Sequence, residues 1–279
     1  MSVKKKPSPV LWRKKSRFQK IELIRDRKGI LMKLNGWPQV HSHEEVLYHE
    51  NVSTVPMMLA RKVDRCVVLG GGDGLAARNM LRFKGVKSLT LVELDPGVIE
   101  MCSRQPDFAA LNEGVLTDPR LKVITGDAIA WFLNARGKFD VIINDIETAF
   151  TNQPRKLTLD LHFRLFRAMA EKLAPGGVAV VTVPDDFDQN VLKGFFAEYG
   201  DMLPPEKRAV FRGTKDVFVR SRVLLGSIFP QSLQWTLRFP ILGPHASYYL
   251  GHDPMKKFHR FPVPPPRYVK RDFLRTTLR

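Results

Sequence analysis

Two rhythms of apolar and polar residues divide the chain. The first has period two. Phe18-Gln19-Lys20-Ile21-Glu22-Leu23-Ile24 reads as a strand, Asp26-Arg27-Lys28-Gly29 as a turn, and Ile30-Leu31-Met32-Lys33-Leu34 as the partner strand. Asn35-Gly36 offers a second tight turn, and Gln39-Val40-His41 a third strand. Residues 42–59 then turn helical. The second rhythm alternates short apolar runs with helical stretches. The runs are Val67-Val68-Leu69, residues 88–92, 121–125, 139–145 and 178–183. The helical stretches are residues 75–82, 96–103, 128–134 and 157–173, the last stopped by Pro175-Gly176-Gly177. From Gly200 the pattern is weaker. Residues 208–219 read as a strand, 224–242 as an apolar run broken by Pro230, Arg238 and Pro240, and 247–251 as a final strand.

Alternating β and α of this kind implies a parallel sheet with helices on both faces. The expected fold is therefore α/β: a Rossmann-like, mostly parallel sheet preceded by a small N-terminal β-sheet domain. The expected boundaries are a basic flexible tail over 1–16, a small β-hairpin domain with its linking helix over 17–60, the Rossmann-like domain over 61–255, and a basic, proline-containing tail over 256–279.

Ligands of such sheets bind beyond the carboxyl ends of the strands. Gly70-Gly71-Gly72-Asp73-Gly74 follows the first buried strand there, and its glycines let the backbone turn sharply and approach a ligand. Glu93, about 20 positions further on, closes the next strand, the usual place of a ribose-hydroxyl ligand. Asp127 follows the third strand and Asp145 ends the fourth, so four acids collect at one edge. Asp73 interrupts the dinucleotide fingerprint and would repel a pyrophosphate. The ligand expected is an adenosine with a neutral or cationic tail, such as S-adenosylmethionine or its decarboxylated form.

Composition narrows the setting. The chain has 279 residues, 44% of them hydrophobic, enough for one large α/β domain with an appendage. Two cysteines, Cys66 and Cys102, do not make a disulfide framework, and a reducing, cytoplasmic setting is expected. No run approaches the ~20 apolar residues of a membrane span, and the lysine-rich start lacks an apolar signal core. The net charge of +17 sits at the ends. Residues 1–20 hold eight Lys or Arg and no acid, and residues 256–279 hold eight against Asp272. Basic ends of this kind suit loose contact with nucleic acid or anionic membrane, with no reader motif to add specificity. His41, His43 and His49 fall short of the ligand set a zinc site needs, and no metal is expected.

The glycine turn with Asp73, followed by Val92-Glu93-Leu94-Asp95, resembles the GGGDG and E-(I/L)-D motifs of the spermidine synthase family, polyamine aminopropyltransferases on a class I methyltransferase-like fold. Gly36-Trp37-Pro38-Gln39 through Glu44-Glu45-Val46-Leu47-Tyr48-His49-Glu50 is similar to that family's G-x-x-Q…(D/E)-E-x-x-Y-x-E block, with Thr54 where the family often has a histidine. The resemblance implies aminopropyl transfer from decarboxylated S-adenosylmethionine to a di- or polyamine, releasing methylthioadenosine. Gly70, Gly72, Gly74 and Glu93 would cradle the nucleoside, with Glu93 on the ribose and Asp127 at the adenine. Asp73 would hold the aminopropyl ammonium, with Gln39 near the same tail. Asp145 would take the proton of the attacking amine, and Tyr48, at a matching position of the block that lines the active site, would help to bind the substrate. The family commonly forms homodimers, an assembly that the resemblance would allow.

The acceptor half departs from the pattern. The family's D-x-x-D-P loop is Asp145-Ile146-Glu147-Thr148-Ala149 here, with Glu147 as the candidate substitute for the second acid. His162-Phe163 stands where the family has paired aromatics. Two rivals follow: a methyltransferase that uses intact S-adenosylmethionine, and a non-catalytic homologue that binds anionic partners through its basic ends.

Overall fold

The computed structural model describes residues 9–146, 155–184, 196–197, 201, 203–239, 243–260 and 262–269. Strands β1 (Val10–Lys15), β2 (Lys20–Arg25), β3 (Ile30–Leu34) and β4 (Trp37–His41) form an antiparallel sheet in that order. The hairpin is set where the sequence puts its turn, with Arg25 opposite Ile30. The expected tail is shorter than 1–16, because Val10–Lys15 adds a strand to this sheet. Its alternation is hidden by Arg13, Lys14 and Lys15, which line an edge strand, a common way to discourage edge-to-edge pairing.

A helical segment links the sheet to the larger unit. It runs through α1 (Glu45–His49), a π-helical turn (Glu50–Thr54) and α2 (Val55–Leu59). The widened turn has a cause in Pro56. Proline has no N–H to offer the carbonyl four residues back, and its ring clashes there. In the widened winding the Val55 N–H reaches the Glu50 carbonyl five residues back, and the next carbonyl in that register, Asn51, which Pro56 cannot serve, accepts the Tyr249 hydroxyl at 3.0 Å.

The second sheet has seven strands. They are β5 (Arg65–Gly70), β6 (Ser88–Glu93), β7 (Leu121–Thr125), β8 (Phe139–Asp145), β9 (Leu173–Pro184), β10 (Gln231–Phe239) and β11 (Gly243–Gly251), in the spatial order β10-β11-β9-β8-β5-β6-β7. The run from β9 to β7 is parallel, and β11 and β10 close one side antiparallel. Neighbouring residues of a strand point to opposite faces. Cys66, Val68, Val141 and Ile143 therefore join one core beneath α2 and α3 (Leu75–Leu81). Val67, Leu69 and Ile142 join the other, beneath α6 (Ala128–Asn134) and α7 (Arg155–Lys172). A third core packs Ile21, Leu23 and Met32 of the small sheet on Val98, Met101, Cys102 and Phe108, from α4 (Pro96–Arg104) and α5 (Pro106–Leu111). Cys66 and Cys102 are fully buried free thiols.

Two expectations fail after Gly200. Residues 208–219 are not a strand but the end of α8 (Pro205–Gly213) and the start of α9 (Val217–Ile228). The punctuation was in the sequence: Pro205 opens the first helix, and Asp216 caps the second by accepting the Phe218 and Val219 N–H groups at 2.8 and 3.1 Å. Of the residues that suggest a strand, Phe211 is buried and stacks on Phe196 at 4.3 Å and Phe218 packs partly against the same core, whereas Val210 faces outward. Residues 256–260 and 262–269, expected as part of a tail, lie along the body, and Val269 is buried in the core beneath α2 and α3. Among the described residues, no helix is long and apolar enough to cross a membrane.

One buried ion pair ties the linking segment to α3. Both Nη atoms of Arg78, on α3, donate to the Glu45 carboxylate at 3.1 and 3.0 Å, and Nη1 also reaches the Leu111 carbonyl at 2.7 Å. Neither side chain is more than 5% exposed. Removing one partner leaves a buried charge without its counterion. Arg78→Ala is expected to destabilise the fold by about 3–5 kcal/mol in chemical denaturation.

Candidate active site

The site forms where β5 and β8 end side by side, with Gly70 paired to Asp145. Gly70 has φ +81°, and a side chain on it would press its Cβ to 2.4 Å from the Asp145 carbonyl oxygen. Only glycine fits there. Two residues on, the Gly72 N–H donates to Glu93 Oε2 at 3.1 Å. A Cβ at Gly72 would meet Glu93 Cγ at 2.5 Å, so the same absence of a side chain brings the turn and the acid together. The other Glu93 oxygen accepts the Asp95 N–H at 2.9 Å. Burial outweighs these two bonds and pushes the Glu93 carboxyl up to about 7. The glycine cradle and the desolvated acid beside it fit a ligand that donates hydroxyls to Glu93.

Asp73 is buried at the entrance to α3, where its Oδ1 accepts the Leu75 N–H at 2.7 Å. Opposite stands Asp145, whose Oδ1 accepts the Tyr48 hydroxyl at 3.0 Å. Burial first, and the charge of Asp73 second, push the Asp145 carboxyl up to about 6. Burial and Asp145 hold the Tyr48 phenol well above its ordinary range, so it acts as a donor. His49 completes the group. Its Nε2 lies 3.8 Å from Asp73 Oδ1, and its Nδ1 donates to the Glu45 carbonyl at 2.8 Å, with Glu45 Oε2 at 3.4 Å. Burial opposes charge on His49, but the hydrogen bond to Glu45 and the charges of Asp73, Glu45 and Asp145 prevail and raise it. Ligand-type atoms of His49, Asp73 and Asp145 all lie within 4.8 Å of one another. Two carboxylates against one imidazole make an anionic cluster suited to a positive charge.

The sequence-derived candidates are thus partly assembled. Gly70, Gly72, Asp73 and Glu93 meet at the turn, with Gly74 at φ +80° just before α3. Tyr48 and Asp145 join them. Asp127 lies at the same strand edge, since Gly126 N–H donates to the Glu93 carbonyl at 2.8 Å, but its own carboxylate is exposed and caps α6 through the Ala130 N–H at 3.0 Å. Gln39 is half-buried in β4. Glu147, Thr148 and Ala149 lie outside the described residues. Phe163 is buried in the core beneath α7.

Of the three histidines weighed as ligands, His41 bonds Asp26 at 3.2 Å and receives the His43 N–H at 3.1 Å. Only His49 reaches the carboxylates, a role the sequence reading missed. Its signal was the spacing of Glu45 and His49, one helical turn apart, with Tyr48 between them on the site side. His245 was missed as well. Its ring stands edge-on to Tyr48 at 6.1 Å, and it is carried there by β11, where it pairs with Pro184.

The raised acids make stability depend on pH with a definite sign. Glu93 and Asp145 hold protons in the folded chain at pH values where the unfolded chain has released them, and the raised His49 does the same. The folded state binds more protons there, so stability falls as pH rises. The window runs from the ordinary carboxylate values to about 7 for Glu93 and about 6 for Asp145. The lowered surface acids, such as Asp107 beside Arg25, act only at lower pH and in the opposite sense. Ligand-free protein is expected to lose on the order of 1–3 kcal/mol between about pH 5 and pH 8, and Glu93→Gln to flatten that slope, both read from the melting temperature against pH.

Comparison with known proteins accords with this geometry. The family described as the spermine/spermidine synthase domain matches residues 45–188. A polyamine aminopropyltransferase of Oceanobacillus iheyensis is 32% identical over 173 residues, which cover 62% of this chain and 33% of that protein. Polyamine aminopropyltransferase 2 of Ralstonia nicotianae is 32% identical over 230 residues, covering 75% of this chain and 44% of that one. The chain thus spans between a third and a half of the length of these curated relatives. Among solved structures, a spermidine synthase in complex with the transition state analogue AdoDATO superposes with a TM-score of 0.71 at 22% identity, covering 96% of this chain and 84% of that one. Spermidine synthase from Thermotoga maritima gives 0.70 at 21%, covering 97% and 84%. At such identity these structures establish the fold: the small antiparallel sheet and the mostly parallel, Rossmann-like one. With the family's domain matched over more than half of its length, the chain belongs to the spermine/spermidine synthase family.

Proposed function

We propose that the chain transfers an aminopropyl group from decarboxylated S-adenosylmethionine to a di- or polyamine and releases methylthioadenosine. The observation that carries this reading is the Asp73–Asp145 pair beside the Glu93 cradle, an anionic cluster one step from a nucleoside seat. The named activities of the aminopropyltransferase relatives, and the analogue held by the solved spermidine synthase, support it.

Each residue then has a task. Glu93 receives the ribose hydroxyls through its two oxygens, and Asp127 stands near the base. Asp73 binds the ammonium of the aminopropyl tail, with Gln39 toward the same end. Asp145 binds the acceptor amine, which arrives protonated because an aliphatic amine has a pKa near ~10. It orients that amine toward the methylene carbon next to sulfur and accepts the proton the nitrogen sheds. The nitrogen lone pair forms the new C–N bond as the C–S bond breaks, and the C–S pair stays on sulfur. The leaving thioether is neutral and needs no acid. Tyr48 donates to Asp145 and so fixes which oxygen faces the amine. Glu147 is the nearest acid in the sequence to complete the amine site, where the family has its second aspartate.

Asp73 also favours the decarboxylated donor. The carboxylate of intact S-adenosylmethionine would meet a like charge, at a cost of about 1–4 kcal/mol at 4 Å. Mass spectrometry of the products tests the whole reading. Methylthioadenosine together with an amine heavier by one aminopropyl group supports it, whereas S-adenosylhomocysteine would move the chain to methyl transfer. Asp145→Asn is expected to lower kcat on the order of 10²–10⁴-fold while leaving methylthioadenosine affinity within about twofold in calorimetry. Asp73→Asn is expected to shift the preference between decarboxylated and intact donor by about tenfold toward the intact one, measured by competition binding.

A further inference from the structure

The segment after β11 grips the helix that carries Tyr48 and His49. Glu50 follows His49 directly, in the π-helical turn, and is 2% exposed. Its carboxylate accepts three successive backbone N–H groups: Arg267 at 2.6 Å, Tyr268 at 2.7 Å and Val269 at 3.2 Å. Consecutive N–H groups that converge on an anion form a nest. A second grip lies at the far end of the same helical stretch, at the close of α2. Arg260 Nη1 and Nη2 reach the Ala60 and Arg61 carbonyls at 2.6 Å each, with Met57 at 3.4 Å. These are the orphan carbonyls at the end of α2, where a cation also meets the negative end of the helix dipole. The His259 N–H donates to the Met58 carbonyl at 2.7 Å, and the Val263 N–H to Arg82, just after α3, at 3.2 Å.

Most of these bonds join the segment to the helical stretch 45–61. That stretch supplies Tyr48 to Asp145 and His49 to Asp73. Arg78 fixes its start through Glu45. Its middle contains the π turn, a winding found mostly at functional sites and less regular than the α-helix on either side. Without the nest, Glu50 would be a buried carboxylate among apolar neighbours, and the helix would have to rotate or unwind to solvate it. Any such movement begins one residue from His49 and two from Tyr48.

We propose that residues 255–260 and 262–269 are a clamp that positions Tyr48 and His49, and that Glu50 is the positioning residue through which the clamp acts. The amine side of the site depends on the clamp. The nucleoside side, built on the turn after β5 and on Glu93, does not. The choice of an amine readout rests on the aminopropyl-transfer reading; the clamp itself does not.

The test uses full-length protein and two variants, Glu50→Gln and Arg260→Ala. Hydrogen–deuterium exchange is read separately over residues 45–60 and 66–95, calorimetry gives methylthioadenosine affinity, and steady-state kinetics gives KM for the best acceptor amine. The expected result is at least fivefold faster exchange over 45–60, unchanged exchange over 66–95, nucleoside affinity within twofold, and an amine KM raised at least fivefold. Arg260, far from the reacting groups, should show the same pattern more weakly. Unchanged exchange over 45–60 in both variants would overturn the clamp. So would an equal loss of nucleoside and amine affinity, the mark of a merely structural role. If the wild-type protein forms no aminopropylated product, the proposed reaction fails while the exchange and nucleoside arms still decide the clamp.

Discussion

Like charge held out of water is the constraint on which this structure turns. Asp73, Glu93 and Asp145 share one strand edge, and among the described residues none of them pairs with a Lys or Arg. Each is supported by neutral donors: Leu75 for Asp73, Gly72 and Asp95 for Glu93, Tyr48 for Asp145. Hydrogen bonds of this kind satisfy the lone pairs but do not neutralise the charge. His49 provides the single titratable counterweight, and Glu45 and Arg78 hold it from behind. The ligand-free site is therefore electrostatically incomplete, and in the proposed reaction the cationic donor and amine supply what the protein withholds. Such a site trades stability for affinity.

How much of this was legible in the sequence follows from how local each signal is. The glycine turn, Glu93 and Asp145 were readable because a βα unit fixes where strands end, and strand ends fix where ligands sit. The hairpin from Lys20 to Leu34 was readable for the same reason, since period-two alternation and a turn sequence need no partner elsewhere. The reading broke where the partner was distant. The lysines and arginines of Val10–Lys15 looked like a tail until β2 provided the other half of the ladder. Residues 208–219 looked β-rich until Asp216 and Pro205 were seen as helix starts. His49 gave a local hint in its spacing to Glu45, but its approach to Asp73 depends on α1 packing across α3. The grip of Arg267 to Val269 on Glu50 spans more than 200 residues and uses backbone donors that no side-chain motif can announce.

The small sheet is an integral part of the architecture around the site. Gly97, in the first turn of α4, would bring a Cβ to 2.8 Å from Ile21 Cδ1 if it carried one. Ser16 donates to Asp95 at 2.6 Å, and Asp95 in turn caps α4 through the Gly97 N–H. The N-terminal sheet thus rests on the helix that follows Glu93, and β4 delivers the chain into the helix of Tyr48. Its contribution to the site lies in its position as a wall and a hinge-free lead-in.

The two cysteines give these cores separate voices. Cys66 lies beneath α2 and α3, and Cys102 lies between α4 and the small sheet; burial pushes both thiols up, so neither is an available thiolate in the native fold. Each becomes reactive only when its own core opens. The chain therefore carries two built-in chemical clocks. The rate at which an alkylating reagent marks each one times the separate breathing of the central sheet and of the N-terminal wall, with no cysteine introduced by mutation.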